Sequence, residues 1–465
     1  MDPPYYVSRR TKNHTTLGFA LRSAKQMIVS TIWPLFVPTF MEACPETTAD
    51  NTDWLHGLRG IAAILVVHWE LAQSLSSEYD AGRGLEEGGE GRKALTTLPV
   101  LRLLFPGNFA IALALLICGY KLSLSITRSR RLDENVRALA SSVLRQPIRL
   151  SCAAVASTIL PFICIRAGLF EYAFTIFRQS VVLNGRVDRF AAIARRQPTL
   201  TSQLHDFLVS NLHMFSVSPG LSRPIQSYNS PLRVLPSIFQ ALGSLYVVHL
   251  LLLFMKPQFR SPGLILFMVL NILLQIPYGH LVLFGTLMAD IDHARSSTNR
   301  GLGTRRARVY VILLLIGLFM GSMPDYRSES TPFYQFMGQH NPLLLASPSE
   351  SWQHIGAMLT MLSVTRISML RNFLSSNFSA YLGRISVSLY LCHLPVVTLH
   401  GTVIFDSFLK RAGWDNGVFT FVAFAAAYIC TMIPVIYLAD RFEELVDRKT
   451  VRLAASMEHL LMMPF

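Results

Sequence analysis

Long apolar stretches separated by arginine-rich links dominate this sequence. They lie at residues 58–76, 108–127, 147–169, 235–255, 262–278, 279–292, 308–323, 352–369, 385–405 and 417–438. Mean hydropathy is +0.38 and 15% of the residues are charged, whereas a soluble chain carries about 25%. A backbone in lipid must satisfy its own hydrogen bonds, which a helix does. The sequence therefore predicts an all-α fold, a polytopic membrane helix bundle of about ten transmembrane helices.

The chain divides into a tail, one membrane domain and a short end. Residues 1–50 are predicted to form a cytosolic N-terminal tail with an interfacial segment at 25–41, because that apolar run has 17 residues and contains Pro34 and Pro38. A span needs about 20 apolar residues. Residues 51–455 are assigned to the membrane domain and residues 456–465 to a C-terminal tail.

Arginines in the links set the expected orientation. Arginine is frequent in the links after the second, sixth and eighth apolar stretches and at the C-terminal end. The link after the seventh stretch has a single arginine, Arg327. Positive loops stay in the cytosol, so both termini are predicted to be cytosolic. The long link at 170–232 falls on the outer side despite its arginines, and we expect amphipathic helices there that cap the bundle.

The net charge and the cysteines indicate which ligands and partners to expect. The formal net charge of +14 is attributed to cytosolic loops, so no nucleic acid is expected. The six cysteines show no paired spacing, which predicts neither a disulfide framework nor a metal site. Membrane lipid is the expected surrounding, and the oligomeric state stays open.

The first apolar stretch, WLHGLRGIAAILVVHWELAQSL, carries ionisable groups into the bilayer region. Such groups are costly in lipid and usually line a protein interior. Arg59 either anchors the cytosolic end or binds the phosphate of an anionic ligand. On a regular helix Glu70 shares the face of Arg59 and His68 does not. His68 is nevertheless preferred as a general base, which requires a bulge between residues 62 and 67.

The ninth apolar stretch runs in the same direction and carries a second buried imidazole. His393 is predicted to lie at the depth of His68, and His400, seven residues later, to share its face. Lys121, His249 and His280 are assigned to packing or to snorkelling groups.

An ordered set of motifs across residues 53–455 resembles the membrane-bound acyltransferase 3 family, in the style of its fungal members. The motifs are LHGLRGIAAILVV, LLICGYKLS, RQPIRL, SYNSPLRVLPSIFQALGS, FGTLMADI, WQHIGA, GRISVSLYLCHLP and DRFEELVDRKTVRL. The resemblance implies an integral membrane enzyme that moves an acyl group, often acetyl, from an acyl-CoA donor to a hydroxyl of a small molecule, lipid or glycan acceptor. It implies no metal.

Two residues carry over directly, since Arg59 matches the family's first-span arginine and His393 its late-span histidine. The motif RQPIRL adds Arg145 and Arg149 as candidate donor-binding groups. The sequence departs from the family at five positions. His56 replaces an aspartate, Glu70 a histidine and Cys118 a serine, and the tryptophan and glutamate of the fourth-span motif align with Arg233 and about Ile238. Cys118 is either inert packing or an acyl-carrying nucleophile.

The resemblance favours an acyl-CoA-dependent O-acyltransferase. Its candidate catalytic residues are His68, Glu70 and His393, and its candidate donor-binding residues are Arg59, Arg145 and Arg149. The departures leave an alternative open: a non-catalytic relative that transports or binds a metabolite or lipid.

Overall fold

The structure is a computed structural model that describes residues 53–75, 107–126, 132–179, 194–215, 228–296, 304–325, 328–331, 333–412 and 417–462. All regular secondary structure in these ranges is helical, which confirms the all-α class. The predicted N-terminal tail, its interfacial segment and most of the link between the first two spans lie outside the described residues.

The described residues form sixteen α-helices. In chain order they are α1 (Asp53–Leu75), α2 (Gly107–Ile126), α3 (Leu132–Arg166), α4 (Leu169–Gln179), α5 (Leu200–His213), α6 (Leu235–Phe254), α7 (Pro257–Leu273), α8 (Gly279–Ser296), α9 (Thr304–Gly321), α10 (Gln335–Gln339), α11 (Pro348–Val364), α12 (Ser368–Leu374), α13 (Asn377–Val396), α14 (Thr402–Ala412), α15 (Gly417–Phe442) and α16 (Arg448–Leu461).

Five helical segments in the described part of the chain are long and apolar enough to cross a membrane. They are Gly107–Leu124, Leu132–Arg166, Ser230–Phe254, Asn377–Phe408 and Val422–Leu461. The count of about ten spans is therefore not confirmed. Several of the remaining helices are too short for a full crossing, since α7 and α11 have 17 residues each.

Helix α1 packs closely along α13 because small residues face each other. A methyl group added at Gly60 would lie 2.6 Å from backbone atoms of Leu382 and Gly383, and one at Gly383 would collide with the carbonyl of His56. Small residues permit such backbone contact between membrane helices. The glycines of GLRG and GRIS therefore serve helix packing in this fold.

The same device joins two further helix pairs. Gly119 of α2 lies against the backbone of Val282, and Gly285 of α8 against the backbone of Leu116. In α11, Gly356 faces the backbone of α9. The motif glycines are thus spread over three close helix contacts that hold the bundle together.

Two breaks in the helical pattern bear on the sequence expectations. Helix α7 ends at Leu273 and α8 begins at Gly279, with Gln275 (φ 53°) and Tyr278 (φ 57°) in the left-handed region. This break lies where the apolar stretches 262–278 and 279–292 meet. After Pro395, residues Val397–Gly401 form a π-helical turn.

That π-helical turn corrects the prediction that His400 shares the face of His393. A π-turn contains more residues than an α-turn, so side chains beyond it are rotated. His393 is buried, whereas His400 is exposed and its Nε2 lies 3.3 Å from the carbonyl oxygen of Cys430. His400 is therefore not part of the interior that holds His393.

The long link at 170–232 contains helices in its described parts, as expected. Helix α5 is capped by Thr199, whose side chain accepts a hydrogen bond from the backbone N–H of Ser202. Its Gln203 donates to the hydroxyl of Tyr228 at 2.6 Å. These contacts fix the segment that leads into α6.

Candidate active site

Two polar clusters lie toward opposite ends of the α1–α13 pair. Arg59 and Gly383 meet at one end, and Glu70 and His393 interact toward the other. Arg59 and Glu70 are eleven residues apart on α1, which is about 16 Å at 1.5 Å per residue. We call these regions the Arg59 end and the His393 end.

The Arg59 end gathers cationic side chains. Arg59 Nη2 donates to the carbonyl oxygen of Gly383 at 2.6 Å, while its Nε has no hydrogen-bond partner among the described residues. Lys121 Nζ donates to His56 Nε2 at 2.8 Å, since an ammonium group only donates. Arg59 is in electrostatic range of both Lys121 and Arg149. The positive charges of these three side chains add together at this end of the bundle, which favours an anion there.

Arg149 is oriented by the C-terminal part of the chain. Its Nε and Nη2 donate to the two carboxylate oxygens of Asp447 at 3.0 and 2.6 Å, a bidentate geometry that holds the guanidinium rigidly. Arg145 instead lies on the surface, paired with Glu458 of α16. The structure thus brings Arg59 and Arg149 together and leaves Arg145 outside this cluster.

His393 presents an unprotonated nitrogen to the interior. Its side chain is fully buried, and its Nδ1 lies 3.1 Å from the carbonyl oxygen of Leu389. A carbonyl only accepts, so Nδ1 carries the hydrogen and Nε2 of the neutral ring keeps its lone pair. Nε2 has no hydrogen-bond partner within the described ranges. Such a nitrogen can accept a proton from a hydroxyl group.

Glu70 supplies negative charge beside this imidazole. It is 6% exposed and in electrostatic range of His393 and Tyr390. The ring centroids of Tyr390 and His393 are 6.2 Å apart, and the Tyr390 hydroxyl donates to the Pro231 carbonyl oxygen at 2.6 Å. Glu70 can therefore stabilise a protonated His393.

His68 occupies a different side of α1. Its ring centroid lies 5.2 Å from that of Tyr428 on α15, and α1 is a continuous α-helix from Asp53 to Leu75. The bulge required to turn His68 toward the interior cluster is not present. The preference for His68 over Glu70 as the base depended on that bulge and is therefore not supported by the geometry. The regular helix instead puts Glu70 beside His393.

Comparisons with known proteins support an acyltransferase. The chain is 24% identical over 440 residues to Acyltransferase clz18 of Cochliobolus lunatus, a match that covers 85% of this chain and 93% of that protein. It is 23% identical to Acyltransferase R4 of a Phoma species, over 86% of this chain and 94% of the relative. It is 25% identical to the O-acetyltransferase PaAT-1 of Phomopsis amygdali, over 87% of this chain and 84% of that relative.

The three matches cover 85% to 87% of this chain. No family model matches the chain, and no solved structure matches it. The long apolar helices fit a membrane-embedded acyltransferase. The resemblance noted in the motifs thus agrees with the relatives at the level of acyltransferase.

Some residues at the site were not singled out from the sequence. Asn229 is fully buried, and its Nδ2 donates to Ser157 Oγ at 3.0 Å and to the carbonyl oxygen of Leu391 at 2.9 Å, two residues before His393 in α13. Its position in SYNSP, an Asn just before a Ser-Pro pair, was the available signal. Lys121 was assigned to snorkelling, yet it joins the Arg59 cluster.

Cys118 lies at the Arg59 end. It is in electrostatic range of Arg59 and Lys121, so it accompanies the cations and not the Glu70–His393 pair. Among the described residues there is no group of three or more His, Cys, Asp or Glu side chains arranged to hold a metal ion.

Proposed function

We propose that this protein is an integral membrane O-acyltransferase that moves an acyl group, taken to be acetyl, from acyl-CoA to a hydroxyl of a small molecule, lipid or sugar. The observation that carries the proposal is the separation of two complementary clusters along one helix pair. Cations lie at the Arg59 end, and a carboxylate–imidazole pair lies about 16 Å away, toward the other end.

The Arg59 end suits the phosphates of the donor. Arg59 keeps its Nε unbonded among the described residues, and Lys121 and Arg149 add positive charge nearby. Guanidinium groups bind phosphate well. A donor held there by its phosphates would direct its acyl arm along α1 and α13 toward Glu70 and His393.

The His393 end suits the chemical step. His393 Nε2 takes the proton of the acceptor hydroxyl as the oxygen attacks the thioester carbonyl. Glu70 stabilises the imidazolium that forms. When the tetrahedral intermediate collapses, the carbon–sulfur bond breaks and the thiolate takes the proton from His393. The products are an ester and free CoA, and His393 returns to its neutral form.

The membrane arrangement follows from the charged links. With both termini in the cytosol, the Arg59 end faces the cytosol, where acyl-CoA is present. The His393 end then lies deeper or toward the opposite surface. The acceptor would reach His393 from the membrane or from that surface.

The proposal is tested by acyl transfer with purified protein in lipid nanodiscs. Radiolabelled acetyl-CoA is supplied together with the metabolite fraction that accumulates in a deletion strain. We expect a labelled ester with the unsubstituted protein and about 100-fold less, or lower still, with the His393→Ala variant. Donor binding without turnover, with the metabolite accumulating on one side of the membrane in the deletion strain, would favour the non-catalytic alternative.

A further inference from the structure

Two buried histidines on α8 and α11 form a pair outside the Arg59 and His393 clusters. His280 in the first turn of α8 and His354 on α11 are 1% and 0% exposed. His280 Nε2 and His354 Nδ1 are 3.1 Å apart, which is a hydrogen-bond distance. The remaining nitrogens, His280 Nδ1 and His354 Nε2, have no hydrogen-bond partner among the described residues.

The hydrogen bond between the rings determines what the two outer nitrogens offer. A neutral imidazole has one N–H and one lone pair. Whichever ring donates, one outer nitrogen of the pair carries a hydrogen and the other carries a lone pair. Buried polar atoms left without partners are costly. The pair therefore offers one donor and one acceptor to a ligand.

The histidine pair belongs to the same end of the bundle as His393. The Tyr278 ring lies 5.7 Å from the His354 ring, and Tyr278 is in electrostatic range of Tyr390, whose ring is 6.2 Å from that of His393. Twelve residues farther along the chain from each histidine, Arg366, just beyond the end of α11, pairs with Asp292 of α8 at 2.5 Å. Tyr278 and Tyr390 thus connect the two histidine sites.

We propose that the His280–His354 pair is a specificity subsite that binds a second hydroxyl group of the acyl acceptor while the reacting hydroxyl lies at His393. This inference rests on the proposed acyltransferase function. A hydroxyl both donates and accepts, and so matches one N–H and one lone pair. A carboxylate needs donors and an ammonium group needs acceptors, so neither matches. The acceptor class is therefore a polyol, not a simple alcohol.

The experiment compares acceptors that differ by one hydroxyl. Cyclohexanol and the 1,2-, 1,3- and 1,4-cyclohexanediols serve as probes, with acetyl-CoA as donor and purified protein in nanodiscs. We expect kcat/KM for at least one diol to exceed that for cyclohexanol by about tenfold or more, because a site built to bind a hydroxyl rejects an analogue without it. No transfer to any probe by the unsubstituted protein contradicts the proposed function itself.

Variants separate a binding role from a packing role. His354→Phe and His280→Phe are expected to lower the ratio of kcat/KM for the preferred diol to kcat/KM for cyclohexanol toward one, and His354→Gln is expected to retain part of that ratio. His249→Phe is the matched control. Like the two histidines of the pair, His249 is buried (2% exposed), and its Nε2 has no hydrogen-bond partner among the described residues. Unlike them, it lies beside Ser123 and Asp290. Transfer without diol preference, or equal loss for all probes in both histidine variants, overturns the subsite and leaves the acyltransferase function standing.

Discussion

Arg59 donates from Nη2 to the carbonyl oxygen of Gly383 at 2.6 Å, beside the close contact of α1 and α13 at Gly60 and Gly383. The residue therefore has a structural role at the helix contact. Its Nε has no hydrogen-bond partner among the described residues, so the same guanidinium can still donate a hydrogen bond to a ligand. The two readings of Arg59 from the sequence, anchor and phosphate ligand, are compatible in this geometry.

We predict that Arg59→Lys weakens donor binding more than it lowers stability. Lysine keeps the charge and can still donate to Gly383, but its single nitrogen lacks the planar fork of donor nitrogens with which a guanidinium can bind Gly383 and a phosphate at once. The expected result is a tenfold or larger rise in the Kd for acetyl-CoA with little change in the melting temperature. Titration calorimetry and thermal unfolding in detergent measure the two effects.

Arg145→Lys is the matched control for this experiment. Arg145 is exposed and paired with Glu458, and exposed ion pairs contribute about 0–1 kcal/mol. Donor affinity should change less than twofold. An equal loss of affinity in both variants would show that general positive charge, and not the Arg59 geometry, attracts the donor.

The base is tested by three single substitutions. We predict that His393→Ala lowers kcat by about 100-fold or more, the usual size of general-base catalysis. Glu70→Gln should lower it by a smaller factor, because it removes the charge that stabilises the imidazolium. His68→Phe should keep most of the activity, because His68 packs against Tyr428.

Acetyl-CoA turnover at equal protein concentration measures all three variants. Activity that survives in His393→Ala but is lost in His68→Phe would reverse the assignment. In that case the interior cluster would be structural, and α1 would have to change its pitch during catalysis.

Helical arithmetic predicted part of this site, and local sequence could not predict the rest. Eleven residues at the α-helical pitch put Glu70 on the Arg59 face, and the regular α1 agrees. The same arithmetic failed for His400 because the π-helical turn after Pro395 changes the rotation. The His280–His354 pair joins residues 74 apart on two helices, and no periodicity within either segment encodes that contact.

The motif glycines likewise could be located from the sequence, but their role could not be predicted from it. Their positions in GLRG and GRIS were visible, but their role depends on which helices meet. A lone glycine in a helix pattern is compatible with packing, a kink or a ligand approach. The structure assigns Gly60 and Gly383 to one helix contact.

We predict that Gly60→Ala lowers the free energy of unfolding by about 1–3 kcal/mol or more, the usual cost of overpacking a close contact. The added methyl group would lie 2.6 Å from backbone atoms of α13, which cannot rotate away. Thermal unfolding of purified protein measures the change. Gly243→Ala is the control, because a methyl group there meets nothing within 4 Å, and alanine should stabilise α6 slightly. Equal destabilisation by both substitutions would contradict the packing role.

The last prediction concerns the sides of the membrane occupied by the chain ends. Helix α1 begins six residues before Arg59. At the other terminus, Asp447 pairs with Arg149, so α16 starts at the Arg59 end as well. Residues 53 and 448 must therefore lie toward the same membrane surface, whichever surface that is. The arginine-rich links make it the cytosolic one.

Tags fused to each terminus test both statements. We expect a glycosylation tag at either end to stay unmodified, and a cytosolic split reporter to be complemented from both ends. A glycosylated C-terminal tag would refute the cytosolic orientation. Glycosylation at the N-terminus alone would mean that residues 25–41 cross the membrane and are not interfacial. A truncated chain that begins at residue 51 separates these cases, because its N-terminal tag then reports the start of α1 directly.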